Sequence, residues 1–231
     1  MEEVIDFKAV DHRGRNCVME ACNKGDLDRI KYLIEKGGSL DVVDNNECSC
    51  LHIACRRKHV DVVKYLLDEG IDANVEDNTN DSCLHFACYG FSHASIYILE
   101  MLLNAGADVN AHNTSGSTPF MYLCMYGTSS AIKVLLDAGA DWRVPDNFDE
   151  FGIDYARSCN EKEVVIWLEE YIKGLEKSIE NCKTATITVL CVGKRKEEMK
   201  TLNLNKDVVN IIAKMLWKTR REVEVWGKMK K

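Results

Sequence analysis

Four cysteines recur at nearly constant spacing: Cys22, Cys55, Cys88 and Cys124. Two histidines, His52 and His85, recur in the same register. Cysteines at intervals suggest zinc, and histidines suggest general acid–base chemistry. Zinc, however, holds its four ligands within about 2.3 Å of one point. Equivalent positions on successive packed helices stand about 10 Å apart, so these four cysteines cannot share one ion. Cys48 and Cys50 lack a second pair at zinc-finger spacing. Small apolar residues in a core are the better reading of the cysteines. The chain has no Gly-rich phosphate loop after a strand, no H-E-x-x-H and no G-x-S-x-G. It therefore reads as non-catalytic, with no metal and no cofactor.

Composition narrows the class further. Among 231 residues, 46 % are hydrophobic, enough for a real core, and there are only two prolines. Eleven cysteines in so long and aliphatic a chain fit free thiols in a reducing compartment better than a disulfide scaffold. The opening Met1–Val10 is acidic and holds no apolar h-region, so no secretory signal is expected. No run of about 18 apolar residues occurs, so no membrane span is expected, and the cytoplasm, with the nucleus open, is the expected location. Charge is uneven. Residues 183–231 hold 13 Lys/Arg against 5 Asp/Glu, leaving 17 against 32 for residues 1–182. That asymmetry marks a change of structural unit near the C-terminus.

The elements that position these residues follow from a repeat. Blocks begin at Asp11, Asp44, Asp77, Asn113 and Asp146, so the third carries three extra residues. Ser49–Ala54 reads Ser-Cys-Leu-His-Ile-Ala, and Ser82–Ala87 reads Ser-Cys-Leu-His-Phe-Ala. Block four keeps Thr118-Pro119 but has Met121 at the histidine position, and block one has Asn16-Cys17-Val18-Met19. Each block then runs through a second apolar stretch, with Leu66-Leu67, Leu102-Leu103 and Leu135-Leu136, into Gly37, Gly70, Gly106 or Gly139. Ser49, Ser82 and Thr118 are placed to cap a first helix, and Pro119 suits its first turn. Glycine after the second helix suits a left-handed C-cap. The small pairs Ala54-Cys55 and Ala87-Cys88 allow close helix approach.

This pattern resembles the ankyrin repeat, whose period is about 33 residues and whose signature is T-P-L-H-x-A. The resemblance implies an all-α solenoid of helix–turn–helix units with β-hairpin-like loops. His52 and His85 then stand at the family's structural histidine, which hydrogen-bonds between neighbouring loops. The division read from the sequence is a lead-in at 1–10, repeats at 11–43, 44–76, 77–112 and 113–145, a capping repeat at 146–178, and a basic appendage at 179–231. Glu161–Ile179 is expected to be a longer helix closing the stack. In the appendage, Lys183–Val192 alternates like a strand, and Val208, Ile211, Ile212, Met215 and Leu216 line one helical face. Leu204–Ile212 loosely resembles the opening of an F-box, with Asn205 where that motif has proline. Some poxviral ankyrin proteins use such a piece to recruit a cullin-type ubiquitin ligase. An amphipathic helix packed on the repeats is the competing reading.

The family resemblance implies partner binding through loop tips and the exposed face of each first helix. Where the copies differ they offer Arg56, Arg57, Tyr89, Met125 and Tyr126, with Asn46, Asn78 and Phe148 at loop tips. Arg and Tyr are frequent interface hot spots. The same aromatics are equally suited to packing between repeats. The insertion near Gly90–Ser95 is expected to bring Phe91 and His93 into the loop between the two helices. The expected function is non-catalytic recognition of a protein, one with a basic surface given the acidic repeats. A ligase adaptor and a regulatory or targeting subunit are the alternatives, and nucleic acid is disfavoured because the basic tail has only Trp217 and Trp226 interleaved.

Overall fold

A computed structural model describes residues 5–90, 92–174 and 177. The chain divides into two compact units, Met1–Val165 and Ile166–Lys231. The first unit is a stack of helical pairs. Its elements are α1 (Cys17–Lys24), α2 (Leu27–Glu35), α3 (Cys50–Arg57), α4 (Val60–Asp68), α5 (Cys83–Cys88), α6 (His93–Asn104), α7 (Pro119–Tyr126), α8 (Ser129–Asp137) and α9 (Gly152–Ser158). Helices α1, α3, α5, α7 and α9 pack in succession, while α4, α6 and α8 form a second row. Among the described residues, β structure is confined to two isolated bridges, Val43 with Ser49 and Glu76 with Ser82.

No single pair can bury its own apolar side, so each copy seals the next. The second helices show this most regularly. Ile30 and Leu33, Val63 and Leu66, Leu99 and Leu102, and Ile132 and Leu135 are all fully buried at matching positions. Of the paired leucines, Leu67 and Leu103 are only half-buried. Each second helix ends on a two-bond cap. The Gly70 N–H reaches the Leu67 carbonyl and the Ile71 N–H reaches the Leu66 carbonyl, at 3.0 and 3.2 Å, and Gly37, Gly106 and Gly139 repeat the arrangement. Gly70 has φ +86°, and a Cβ added there would meet nothing within 4 Å. The glycine is thus required by backbone conformation alone.

The residue opening each block fixes the hairpin. Oδ1 of Asp11, Asp44, Asp77, Asn113 and Asp146 accepts the backbone N–H groups two and four residues ahead, at 2.8–3.1 Å. The hairpins then join tip to tip. Asn45 N–H donates to the Arg13 carbonyl, Asn78 to Asn46, Thr114 to Thr79 and Asn147 to Ser115, at 2.9–3.0 Å.

The insertion lengthens both the connection and the second helix: four residues separate Cys88 of α5 from His93 of α6, where two separate α3 from α4, and His93 stands in the helix and not in the loop. Helix α6 has twelve residues where α4 has nine, and His93 is its first residue. Ser92 precedes it, and the Ser92 N–H donates to Ser95 Oγ at 3.1 Å, a capping arrangement that lets the added turn start. Phe91 lies outside the described residues.

Residues 162–174 are helical, inside the predicted Glu161–Ile179 helix; 162–165 belong to the first unit and 166–174 to the second. In the second unit the Trp167 and Tyr171 rings stack with centroids 5.4 Å apart. The predicted strand at Lys183–Val192 and the F-box-like Leu204–Leu216 lie outside the described residues.

Candidate functional site

The histidines can be settled first, because they are the residues most suggestive of catalysis. Both are buried. His52 Nδ1 accepts the Ser49 backbone N–H at 3.1 Å, so Nε2 must carry the proton, and it reaches the Asp81 carbonyl at 3.2 Å. His85 Nδ1 accepts from Ser82 N–H, and its Nε2 donates to the Ser117 carbonyl, both at 3.0 Å. Burial pushes both imidazoles below their ordinary pKa. Each ring is a neutral bolt from one repeat into the hairpin of the next, with neither nitrogen spare for proton transfer. In the fourth block Met121 Sδ accepts the Thr118 N–H at 3.4 Å, which keeps the capping half of the role, but a thioether has no proton to donate to the next hairpin.

The variable strip lies at the C-terminal ends of the first helices. Tyr89 and Tyr126 are 54 % and 40 % exposed, and their rings meet edge to face at 5.3 Å. Met125, in the last turn of α7, is half-buried. The two arginines do not join the tyrosines. Arg57 is exposed and donates through Nε to Asn23 Oδ1 at 2.8 Å, while the half-buried Arg56 lies over the Phe86 ring at 5.8 Å. Neither makes an ion pair within 4 Å among the described residues. At the hairpin tips Asn46 and Asn78 are exposed, tied only through backbone to neighbouring tips, and Phe148 is 73 % exposed.

Sequence reading missed several residues of this face. Phe86, Tyr122 and Tyr155 share one repeat position, one helical turn before the strip. The Phe86 ring packs on His52 at 5.0 Å and the Tyr122 ring on His85 at 5.3 Å. Tyr122 also donates to the Asp81 carboxylate at 3.3 Å, and desolvation together with that carboxylate pushes its phenol up. Their aromatic character at a constant offset was the available signal.

Lys58 was missed as well. It closes α3 in the left-handed conformation, φ +63°, where the first repeat has Gly25. Its ammonium donates to the Phe86 and Ala87 carbonyls at 3.0 and 2.6 Å. Helix α5 stops early, with Tyr89 extended, and Lys58 reaches these terminal carbonyls from the neighbouring repeat. Burial lowers its pKa.

Asn74 and Asn110 add a third kind of link. The Asn74 amide donates to the Gly106 carbonyl at 3.0 Å, and its oxygen accepts the Asp108 N–H at 2.7 Å. Asn110 does the same with Gly139 and Asp141. Each asparagine closes an Asp-x-Asn triplet that follows the second helix, Asp72-Ala73-Asn74 and Asp108-Val109-Asn110.

Among the described residues no three His, Cys, Asp or Glu side chains are grouped to hold a metal, and no helix is long and apolar enough to cross a membrane. Stacked pairs, capped hairpins and imidazole bolts define a helical-repeat solenoid, a scaffold whose outward residues are free to vary. A family model for ankyrin repeats in three copies matches residues 3–77 and 84–181. The chain belongs to the ankyrin-repeat family, and ankyrin repeats are in general a non-catalytic protein–protein interaction module.

Proposed function

We propose that this chain binds a partner protein through the first-helix strip, Arg56, Arg57, Tyr89, Met125 and Tyr126, together with the tips Asn46, Asn78 and Phe148. Phe91, two residues after Tyr89 in sequence, belongs to the same proposal. One observation carries it: the Tyr89–Tyr126 pair is ordered ring on ring yet left exposed. Such rigid amphipathic rings give contact area at low entropic cost.

The acidic balance of residues 1–182, with Glu47, Glu76, Asp149 and Glu150 exposed on the hairpins, favours a partner with a basic surface. Its cations would also suit the faces of the tyrosines. Arg56 and Arg57 call for a local carboxylate at the other end of the strip. The setting is a reducing one, the cytoplasm in the simplest case, and residues 11–178 act as the recognition domain. Affinity capture with the full chain, compared with a Tyr89→Ala/Tyr126→Ala variant, tests the site. A specific partner should be lost from the variant while its melting temperature stays within about 2 °C of the parent, since exposed side chains contribute little to folding. Undiminished capture of the same partner rejects the strip. The ligase-adaptor reading rests on Leu204–Leu216, and loss of a co-purifying ligase subunit on deleting residues 200–231 would support it over a plain binding or targeting module.

A further inference from the structure

Four consecutive basic residues, Arg56 to His59, close α3 and reach alternately forward and back. Arg57 Nε donates to Asn23 Oδ1 at 2.8 Å, and His59 Nε2 donates to the Asn23 carbonyl at 3.1 Å, both in the first repeat. Arg56 lies over the Phe86 ring, and the Lys58 ammonium donates to the Phe86 and Ala87 carbonyls, all in the third repeat. Lys58 differs from its neighbours in backbone. It is left-handed, φ +63°, where the first repeat has Gly25 at φ +73°. Lysine carries strain there that glycine does not, and such strain persists where the side chain has a task. The four copies show what that task is. Ala21 and Ala54 give their carbonyls to the Asp26 and His59 amides at 3.1 Å, and the Leu123 carbonyl accepts the Gly127 N–H at 2.7 Å. At the same repeat position the Ala87 carbonyl accepts the Lys58 ammonium at 2.6 Å. Helices α1, α3 and α7 have eight residues, and α5 has six. Asn23, Arg56 and Met125 are therefore helical at the place where Tyr89 is extended, φ −67° and ψ 128°.

We propose that Lys58 is the positioning residue of the strip: by taking two terminal carbonyls of α5 it ends that helix two residues early and turns Tyr89 out against Tyr126. An ammonium carries three donors, so it satisfies both carbonyls without a following backbone amide. The helix then gains nothing from another turn, and the Tyr89 backbone extends. From that conformation the Tyr89 ring meets Tyr126 edge to face at 5.3 Å. A residue of the second repeat thus sets a pair formed by the third and fourth. The role in recognition rests on the binding reading above, whereas the control of Tyr89 does not.

The test compares isotope-labelled full chains of the parent and of Lys58→Gly by nuclear magnetic resonance. Glycine relieves the left-handed backbone and so opposes the loss of two hydrogen bonds. The melting temperature should stay within about 5 °C of the parent. The parent should show cross-peaks between the Tyr89 and Tyr126 ring protons and an extended-type Cα shift at Tyr89. In Lys58→Gly the Cα shift should move to the helical range and the ring-to-ring cross-peaks should disappear. Lys58→Arg, which keeps the donors, should retain both signals. A lysine that served only to close α3 would leave both signals in place once glycine took over that role. An extended Tyr89 with intact cross-peaks in Lys58→Gly would therefore assign the early stop to Gly90 and overturn the proposal. Should the glycine variant unfold, Lys58→Met gives the same readout. Partner capture separates the two readings. Lost signals with diminished capture support both, whereas lost signals with undiminished capture uphold the control of Tyr89 by Lys58 and reject the strip as the binding face.

Discussion

The first two repeats and the next two are built from one pattern but finish their first helices differently. Helices α1 and α3 close on left-handed residues, Gly25 and Lys58, which fold the chain straight back into the second helix. Helices α5 and α7 run out into extended residues, Tyr89 and Gly127. In the first half the helix ends are sealed by backbone, and Arg57 is held against Asn23. In the second half the ends are splayed, and two tyrosines stand outward against each other. The proposed strip therefore has its exposed aromatics where the repeat rule is broken, with Lys58 reaching across to satisfy what the break exposes.

The broadest way to challenge this comparison is alkali, which should not respect the two halves. Burial raises the thiols of Cys83, Cys88 and Cys124, the neighbouring Cys50 and then burial raise that of Cys22, and burial pushes Cys48 up to about 12. Unfolded thiols lose their protons near pH 8.5 while the folded ones keep theirs. Stability from these groups is complete below that pH and falls as pH rises towards the folded values. One unit above it, five thiols together cost on the order of 7 kcal/mol, comparable to a whole domain's stability. Urea unfolding at pH 7.5 and 9.5 should show a single cooperative loss, whereas a flat profile would mean the thiols are hydrated.

Removing one bolt comes next. His85→Ala leaves the Ser117 carbonyl unpaired and opens a cavity between the third and fourth repeats, within the second half, at a cost of about 3 kcal/mol in chemical denaturation. Both imidazoles have lowered pKa values, so acid acts in the same direction. Stability is present above about pH 6.5 and is lost below it as the unfolded histidines take up protons first. Proton-linked loss should shrink in His85→Ala, and an unchanged acid limb would remove His85 from the account.

Lys58→Met sharpens the comparison directly. It keeps the chain length but leaves the Phe86 and Ala87 carbonyls without the ammonium, and should cost about 1–2 kcal/mol. Hydrogen exchange should speed up in α5 more than in α1. Smallest is Gly139→Ala, which meets no neighbour but forces φ +100° on alanine. About 1 kcal/mol is expected by thermal melting, set by backbone conformation alone.

Much of the stack was legible in the chain because each junction requires the same residue type at the same place. Ser49 with His52, and Gly70 after α4, meet local needs that only a few side chains satisfy, so their recurrence exposes the period. The insertion was read only in part, with His93 placed in the loop, because three extra residues are nearly one helical turn. Added ahead of Ile98, Leu99 and Leu102, they lengthen α6 without rotating its buried stripe, and only Ser92 and Ser95 betray the new start. The residues of the proposed strip could be named from the sequence, but not the contacts they make. Spacing could not show that Arg57 would meet Asn23, or Arg56 the Phe86 ring, because those contacts depend on how neighbouring repeats are offset.

The hairpin tips hold one more consequence. Every tip-to-tip bond runs in the same sense, from the amide of a later copy to the carbonyl of the one before it. A whole copy can therefore be gained or lost in descent with each surviving amide still finding an equivalent acceptor, whereas a partial copy leaves a mismatch. Growth by integer copy number is the evolutionary step such a molecule tolerates, and it would lengthen the recognition surface without redesigning any junction.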